Sequence, residues 1–444
     1  MSPVACGTGS DVRIGVVSDF FRHNGAGLMA LRAADMLTDA GHEVVILGGA
    51  IKAPLRDALR DRHTAVESFT HDERLLDIFL NRTDAAVMRR GIRQWLYGQI
   101  EQRELDVLYV HNCGRLLDQL ELAELSSKTP VAHTMHDEWF FSDAHYTYAS
   151  PATGRTLRTF EPITRTSLLE HRWDHLFEVP SAVGDFVAIG PSDWITDRAR
   201  RVFPDLDIVH IPNSVDSDLF ELQDRETARE ILGLHRDVPV AMFVGNPVEN
   251  RKGFVAFEQG VRAASDRSGS ILRIVVGGRQ TTVYGDGLHL IPGGRLNEFV
   301  EAAVSPATKP GAEVQPELKV AGDALVLSGI DRSWVPLLYG AANVLVHPSR
   351  IDNLPTVPIE AALCGTRCLA SDVGGTNETI ADEADLFPLD ISHEDLGARI
   401  ASALEQSNLE TPEMRRDRRQ VQLDRFGITT HRAHVLATLD RLAR

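Results

Sequence analysis

The residues with the clearest chemical potential in this 444-residue chain are two carboxylates, Asp352 and Glu360, in the stretch H-P-S-R-I-D-N-L-P-T-V-P-I-E that starts at His347. Asn353, Leu354, Pro355 and Thr356 follow the first acid directly. The second opens an Ala- and Leu-rich helical run, Glu360-Ala361-Ala362-Leu363, that stops at Gly365. An apolar strand (Cys368-Leu369-Ala370) and a Gly374-Gly375 turn with Glu378 beyond it come next. A loop of free backbone N–H groups that runs into a helix N-terminus is a site for anions. Carboxylates on that loop and in the first helical turn can accept hydrogen bonds from hydroxyl groups. Phosphate and sugar recognition in one segment implies a nucleotide-sugar site.

Such a segment needs a scaffold, and the hydrophobic pattern supplies one. Val12 to Ser18 reads as a short buried strand, followed by a glycine-bearing loop, Asn24-Gly25-Ala26-Gly27, and a helix to about Ala40. Met29, Ala33, Met36, Leu37 and Ala40 fall on one face of that helix at 3.6-residue periodicity. Gly41 reads as its C-cap and Val44–Leu47 as the next strand. A strand–helix–strand unit predicts a parallel, doubly wound sheet. Later strands are read at 107–110, 131–133 and 186–189. A boundary is placed near Pro212-Asn213, where Pro, Asn and Asp cluster after a short strand.

A second alternation follows, with strands at 238–245, 271–276, 324–327, 344–346 and 368–370. The chain thus divides into an N-terminal domain, 1–212, and a C-terminal domain, 213–423. The final helix, about 424–444, carries Val435, Leu436, Leu439 and Leu442 on one face and is expected to pack back on the first domain. Gly277 to about Asp323 is longer and richer in Gly, Pro and Thr than a normal crossover and is predicted to carry an inserted flexible loop.

Composition excludes several classes. The apolar fraction of 43% and charged fraction of 25% are those of a globular protein, and 444 residues exceed one hydrophobic core. A net charge of −17 with no long basic run argues against a nucleic-acid partner. The first ten residues have neither the basic nor the apolar region of a signal peptide, and no apolar run approaches a membrane span. Cys364 and Cys368 have no companion at metal-ligand spacing and read as small buried apolar residues. A cytoplasmic protein with reduced thiols is expected.

The His347–Glu378 passage resembles the donor-binding signature of family 4 glycosyltransferases, retaining enzymes of the GT-B fold. Asp352 stands where that family usually has Glu. Four more segments resemble it. Ile189-Gly-Pro-Ser-Asp-Trp194 is similar to the element that ends the first domain. Ile211 to Asp216 is similar to the interdomain segment, with Ser214 where Gly is more usual. Asn250-Arg251-Lys252-Gly253-Phe254 is similar to a version of the phosphate-binding element. Tyr339 to Val344 is similar to the lead into the donor motif. The fold implied is α/β: two doubly wound Rossmann-like domains facing across a cleft.

The resemblance also implies roles. Lys252 is the foremost candidate to neutralise a departing diphosphate, with Arg251 compensating for Asn246, where relatives carry Arg after the glycine equivalent to Gly245. His136 resembles the family's His-Asp element, here His136-Asp137, which faces the donor sugar. With Asp352 these form the catalytic set. Gly27, Gly245, Asn246, Asn353, Leu354, Pro355, Thr356 and Glu360 are expected around the donor, Glu360 on its ribose. Asn24, Gly25, His133, Trp139, His145 and Tyr146 are expected around the acceptor, the rings of the Trp139–Tyr146 segment offering a platform for a sugar face.

The function expected is transfer of a sugar from a nucleoside diphosphate to a soluble acceptor, a small molecule or natural-product intermediate, with retention and with neither metal nor cofactor. A pyridoxal-dependent phosphorylase or a nucleotide-sugar epimerase of the same architecture is one alternative. A non-catalytic nucleotide-sugar-binding protein is the other.

Overall fold

A computed structural model describes residues 12–21, 25–70, 85–114, 116–117, 119–141, 184–247, 249–277, 288–292, 324–328 and 330–444. The chain separates into two compact units, Met1–Pro212 with His431–Arg444, and Asn213–Thr430.

The first unit is a seven-stranded parallel sheet: β1 (Arg13–Phe20), β2 (Glu43–Ala50), β3 (Ala65–Thr70), β4 (Val107–Val110), β5 (Val131–Thr134), β6 (Phe186–Gly190) and β7 (Asp207–His210). Their order is β3-β2-β1-β4-β5-β6-β7. Alternate strand residues enter two separate cores. Val17, Val45, Leu108 and Val131 join one, and Ile14, Val44, Tyr109 and Ala132 join the other. Both faces are covered, as a parallel sheet requires. Helix α1 (Gly25–Asp39) buries Met29, Ala33, Met36 and Leu37 and ends at Gly41, whose φ of +93° suits a residue without Cβ. The helix starts at Gly25, so the expected Asn24–Gly27 loop is shorter than read. Gly27 already lies in the first helical turn.

The second unit repeats the plan with β8 (Val240–Val244), β9 (Leu272–Gly277), β10 (Leu288–Pro292), β11 (Ala324–Ser328), β12 (Val344–His347), β13 (Arg367–Ser371) and β14 (Leu386–Phe387), ordered β10-β11-β9-β8-β12-β13-β14. Every recorded pairing in both sheets is parallel. The expected insertion after Gly277 contains β10, paired in register with β11; most of its remaining length lies outside the described residues.

The winding of the sheet changes sense between β8 and β12, parallel neighbours about 100 positions apart, with β9, β11 and β10 on one side and β13 and β14 on the other. Ligands in open α/β sheets collect at the carboxyl ends of strands at such a switch point. The loops after β8 and β12 hold Arg251-Lys252 and Asp352 respectively. Helix α2 (Ile428–Leu442) closes the chain, and its Val435 and Leu439 are buried in a core of the first sheet.

Candidate functional site

In the second unit the loop after β8 folds into a single helical turn, Asn250–Lys252, which ends at Gly253. Gly253 is left-handed, with φ +74° and ψ +24°, and a Cβ there would lie 1.8 Å from the Pro348 carbonyl oxygen. Only glycine allows that approach. The loop after β12 answers with two bonds, Arg350 N to the Arg251 carbonyl at 2.7 Å and Ser349 Oγ to the same oxygen at 3.2 Å. The two loops are therefore one rigid piece.

At its centre is Asp352, 8% exposed. Its Oδ1 accepts from Arg251 Nη1 at 2.8 Å and Lys252 Nζ at 3.1 Å. Its Oδ2 accepts from Lys252 Nζ at 3.0 Å and Ser349 Oγ at 2.6 Å, and His347 Nε2 stands 3.3 Å away. Burial alone would raise this carboxyl, but Lys252, His347 and Arg251 outweigh it and hold it well below the ordinary carboxylate range. The Asp352 carbonyl accepts from Gly375 N at 3.0 Å, and a Cβ on Gly374 (φ +56°) would stand 2.3 Å from it. The glycine pair noted in the sequence thus clamps the acid's backbone.

This geometry alters the expectation for Asp352. A carboxylate offers about four acceptor positions. Here two cations and a serine hydroxyl occupy them, so in this arrangement the acid serves the cations rather than presenting itself to a sugar.

The helix Thr356–Leu363 begins four residues beyond Asp352, and no side chain caps it. Its first turn offers the N–H groups of Thr356 and Val357, Pro358 having none, and a helix N-terminus attracts an anion. Because the helix starts at Thr356, Glu360 sits in its second turn, not the first as read. There Glu360 is 6% exposed, and Arg332 Nη2 donates to Oε1 at 2.7 Å while Tyr339 OH reaches Oε2 at 3.3 Å. Asn353 and Leu354 are buried, Leu354 in the core cluster, and Pro355 occupies the N-cap position. Gly245 follows β8 and donates to the Val276 carbonyl at 2.9 Å, and Asn246 accepts from Glu249 N at 3.0 Å through its carbonyl. A cavity of about 410 Å³ opens elsewhere on this unit, between Pro358, Cys368, Asp382, Leu409 and Met414, and none of these site residues lines it.

In the first unit His136 follows β5, and its Nε2 lies 2.8 Å from Nδ1 of His111, which follows β4. The rings stack at 5.1 Å. Burial and the nearby His133 depress His136 to about 3. Burial and His136 depress His111 well below the ordinary histidine value. Both imidazoles are neutral near pH 7.

His133 does not line a surface. It is 2% exposed, its Nδ1 is 3.3 Å from the Val110 carbonyl, and it packs on Trp139 and Phe140. Trp139, Phe140 and Phe141 are 4%, 1% and 0% exposed and belong to the core. The expected aromatic platform is therefore a cover on the sheet over these three rings. Asn24, His145 and Tyr146 lie outside the described residues. Gly25 opens α1 with φ +53° and Gly27 is buried behind it.

Sequence reasoning missed Arg332, Tyr339, Ser349 and His347 as partners of the two acids, and His111 as partner of His136. His111 carried a usable signal, since it ends an apolar strand just as His133 does.

Residues 316–420 match the family described as glycosyl transferases group 1. That segment contains Asp352, Glu360, Arg332 and Tyr339. The chain is also similar to the D-inositol 3-phosphate glycosyltransferase of Mycolicibacterium paratuberculosis (strain ATCC BAA-968 / K-10), 32% identical over 178 residues. The match spans 40% of this chain and 34% of that protein, about a third of the relative's length. The corresponding enzyme of Mycobacterium avium (strain 104) is 31% identical over 178 residues, 40% of this chain and 35% of its own.

Among solved structures, sucrose-phosphate synthase from Thermosynechococcus elongatus superposes with a TM-score of 0.65 at 17% identity, over 97% of this chain and 99% of that one. Anabaena HepE in complex with UDP and glucose superposes at 0.62 with 16% identity, over 97% and 100%. At such identities the likeness is one of fold, and the fold is GT-B. Within the group 1 segment, the family match and the acid pair coincide. No described helix is long and apolar enough to cross a membrane.

Proposed function

We propose that this protein is a retaining glycosyltransferase that moves a sugar from a nucleoside-diphosphate sugar to the hydroxyl of a small soluble acceptor. The observation that carries the reading is the convergence of Arg251 and Lys252 on Asp352 at the switch point of the second sheet, next to an uncapped helix N-terminus.

Departure of a nucleoside diphosphate concentrates negative charge on its oxygens. Two fixed cations and backbone N–H groups stabilise that charge without a metal. In the proposed reaction the bond between the anomeric carbon and the diphosphate oxygen breaks, and the acceptor oxygen bonds to that carbon on the same face. The acceptor proton passes to the leaving diphosphate. Asp352 keeps the cations aimed, and Glu360 accepts from the ribose hydroxyls. His136 has a separate proposed part, as a neutral imidazole that hydrogen-bonds a hydroxyl of the transferred sugar.

The printed names of the compared proteins suggest where to begin. UDP-glucose is the first donor to try, because UDP-glucose is bound in a HepE structure. A phosphorylated polyol is the first acceptor, after the name of the relatives. A thermal-shift screen of UDP-, GDP-, ADP- and dTDP-sugars tests the reading, since ligand at 100 times its Kd stabilises by roughly 2.7 kcal/mol. Acceptor-dependent release of nucleoside diphosphate separates a transferase from a binding protein. Failure of every nucleotide sugar to shift the midpoint refutes the proposal.

A further inference from the structure

Glu360 already has protein partners, and these partners give it a direction. Arg332 Nη2 donates to Oε1 at 2.7 Å and Tyr339 OH donates to Oε2 at 3.3 Å. Among the described residues one side-chain donor reaches each oxygen, which leaves each an open acceptor position. Two open positions, side by side on one carboxylate, match two neighbouring hydroxyls of a ribose.

The donors are themselves fixed. The Arg332 guanidinium lies over the Phe220 ring, 5.2 Å from its centroid, and Phe220 is fully buried. The Arg332 side chain is 24% exposed against 8% for Glu360. Tyr339 is buried, and burial together with Glu360 raises its hydroxyl well above the ordinary value. It therefore stays protonated and can only donate to the carboxylate. An isolated buried carboxylate would be costly, and one held by a single donor could rotate.

We infer that Arg332 and Tyr339 are positioning residues that hold Glu360 in the rotamer that reads a ribose, and so set the preference of the site for ribonucleotides over 2′-deoxyribonucleotides. The inference rests on the nucleotide-sugar reading above. It adds that this preference depends on two residues that need not touch the ligand. Arg332 matters through geometry as well as charge, because only a planar fork both stacks on Phe220 and donates edge-on to Oε1.

The test is calorimetric titration of the full chain with ADP, GDP and UDP, each against its 2′-deoxy counterpart. A hydroxyl bound to a carboxylate contributes about tenfold in affinity or more, so the parent protein is expected to favour the ribo form by about that factor. Glu360→Ala should erase the preference. Arg332→Ala should cut it to roughly two- to threefold, Tyr339→Phe should reduce it less, and Arg332→Lys should restore part of it. The last two retain bulk, and unchanged circular dichroism would show that they fold. If Arg332→Ala and Tyr339→Phe keep the full preference while Glu360→Ala has lost it, the inference is wrong and the nucleotide reading stands. If Glu360→Ala keeps the preference, or no nucleoside diphosphate binds, the nucleotide reading fails and the inference with it.

Discussion

Lys252 Nζ lies 3.0 Å from Asp352 Oδ2 although 100 positions separate the two residues. The pair joins the loops after β8 and β12, and Arg251 doubles the link at 2.8 Å. Loss of the acid would remove the carboxylate that the Ser349 hydroxyl, Arg251 and Lys252 share, leaving Ser349 and Arg251 only their other acceptors, the Arg251 and Ile351 carbonyls and Glu249. Asp352→Ala is expected to destabilise the protein by about 2–3 kcal/mol. That is less than for a fully buried pair, because Lys252 and Arg251 retain some solvent contact. Urea denaturation of the variant measures it, and an unchanged midpoint would contradict the clamp.

Removal of Lys252 acts on chemistry more than on folding. Lys252→Ala is expected to lower kcat by roughly two to three orders of magnitude, the scale of one preorganised electrostatic stabiliser. With two cations present, turnover should persist in excess EDTA. Steady-state rates with and without chelator check both points; a strict requirement for Mg²⁺ or Mn²⁺ would show that the diphosphate charge is met by other means.

Gly253→Ala tests the loop without touching a charged group. The left-handed backbone costs an L-residue about 1–2 kcal/mol, and the methyl would overlap the Pro348 carbonyl. The loops must separate, and Lys252 moves with them. The expected outcome is a drop in kcat comparable to that of Lys252→Ala with all charges intact. Near-parental kcat in a folded variant would mean that the approach to Pro348 does not position the lysine.

Acid should weaken the first unit. His133 is held at about 4 and His136 at about 3, against about 6.5 for an unfolded chain. Between those values the unfolded state binds more protons, so stability falls as pH drops below about 6.5 and is unaffected above it. At pH 5 each imidazole costs about 1–2 kcal/mol relative to pH 7. Thermal midpoints across that range should decline, and His133→Gln should decline less steeply. A parallel decline in both proteins would place the effect elsewhere.

The periodicity of the chain determined the doubly wound plan and most of its strands, because strand burial is a local property, but not β3, β10 or β14; the 347–360 segment was legible from its residue types and the 250–253 segment from family resemblance. Gly253 and Gly374 were visible as glycines, and their positive φ follows from close approaches that only the folded loops create. What Asp352 and Glu360 bind was decided by tertiary structure. The side-chain partners of Asp352 beyond its own loop come from a loop 100 positions earlier, and those of Glu360 from residues before β12. The start of Glu360's helix was misread by one turn, since Pro355 and Thr356 can begin a helix or continue a loop with equal local ease. The Trp139–Phe141 rings show the same limit: three consecutive aromatics suit a ligand platform and a buried cover alike, and only tertiary packing, such as that of Phe140 on Phe186 and Phe203, makes them core.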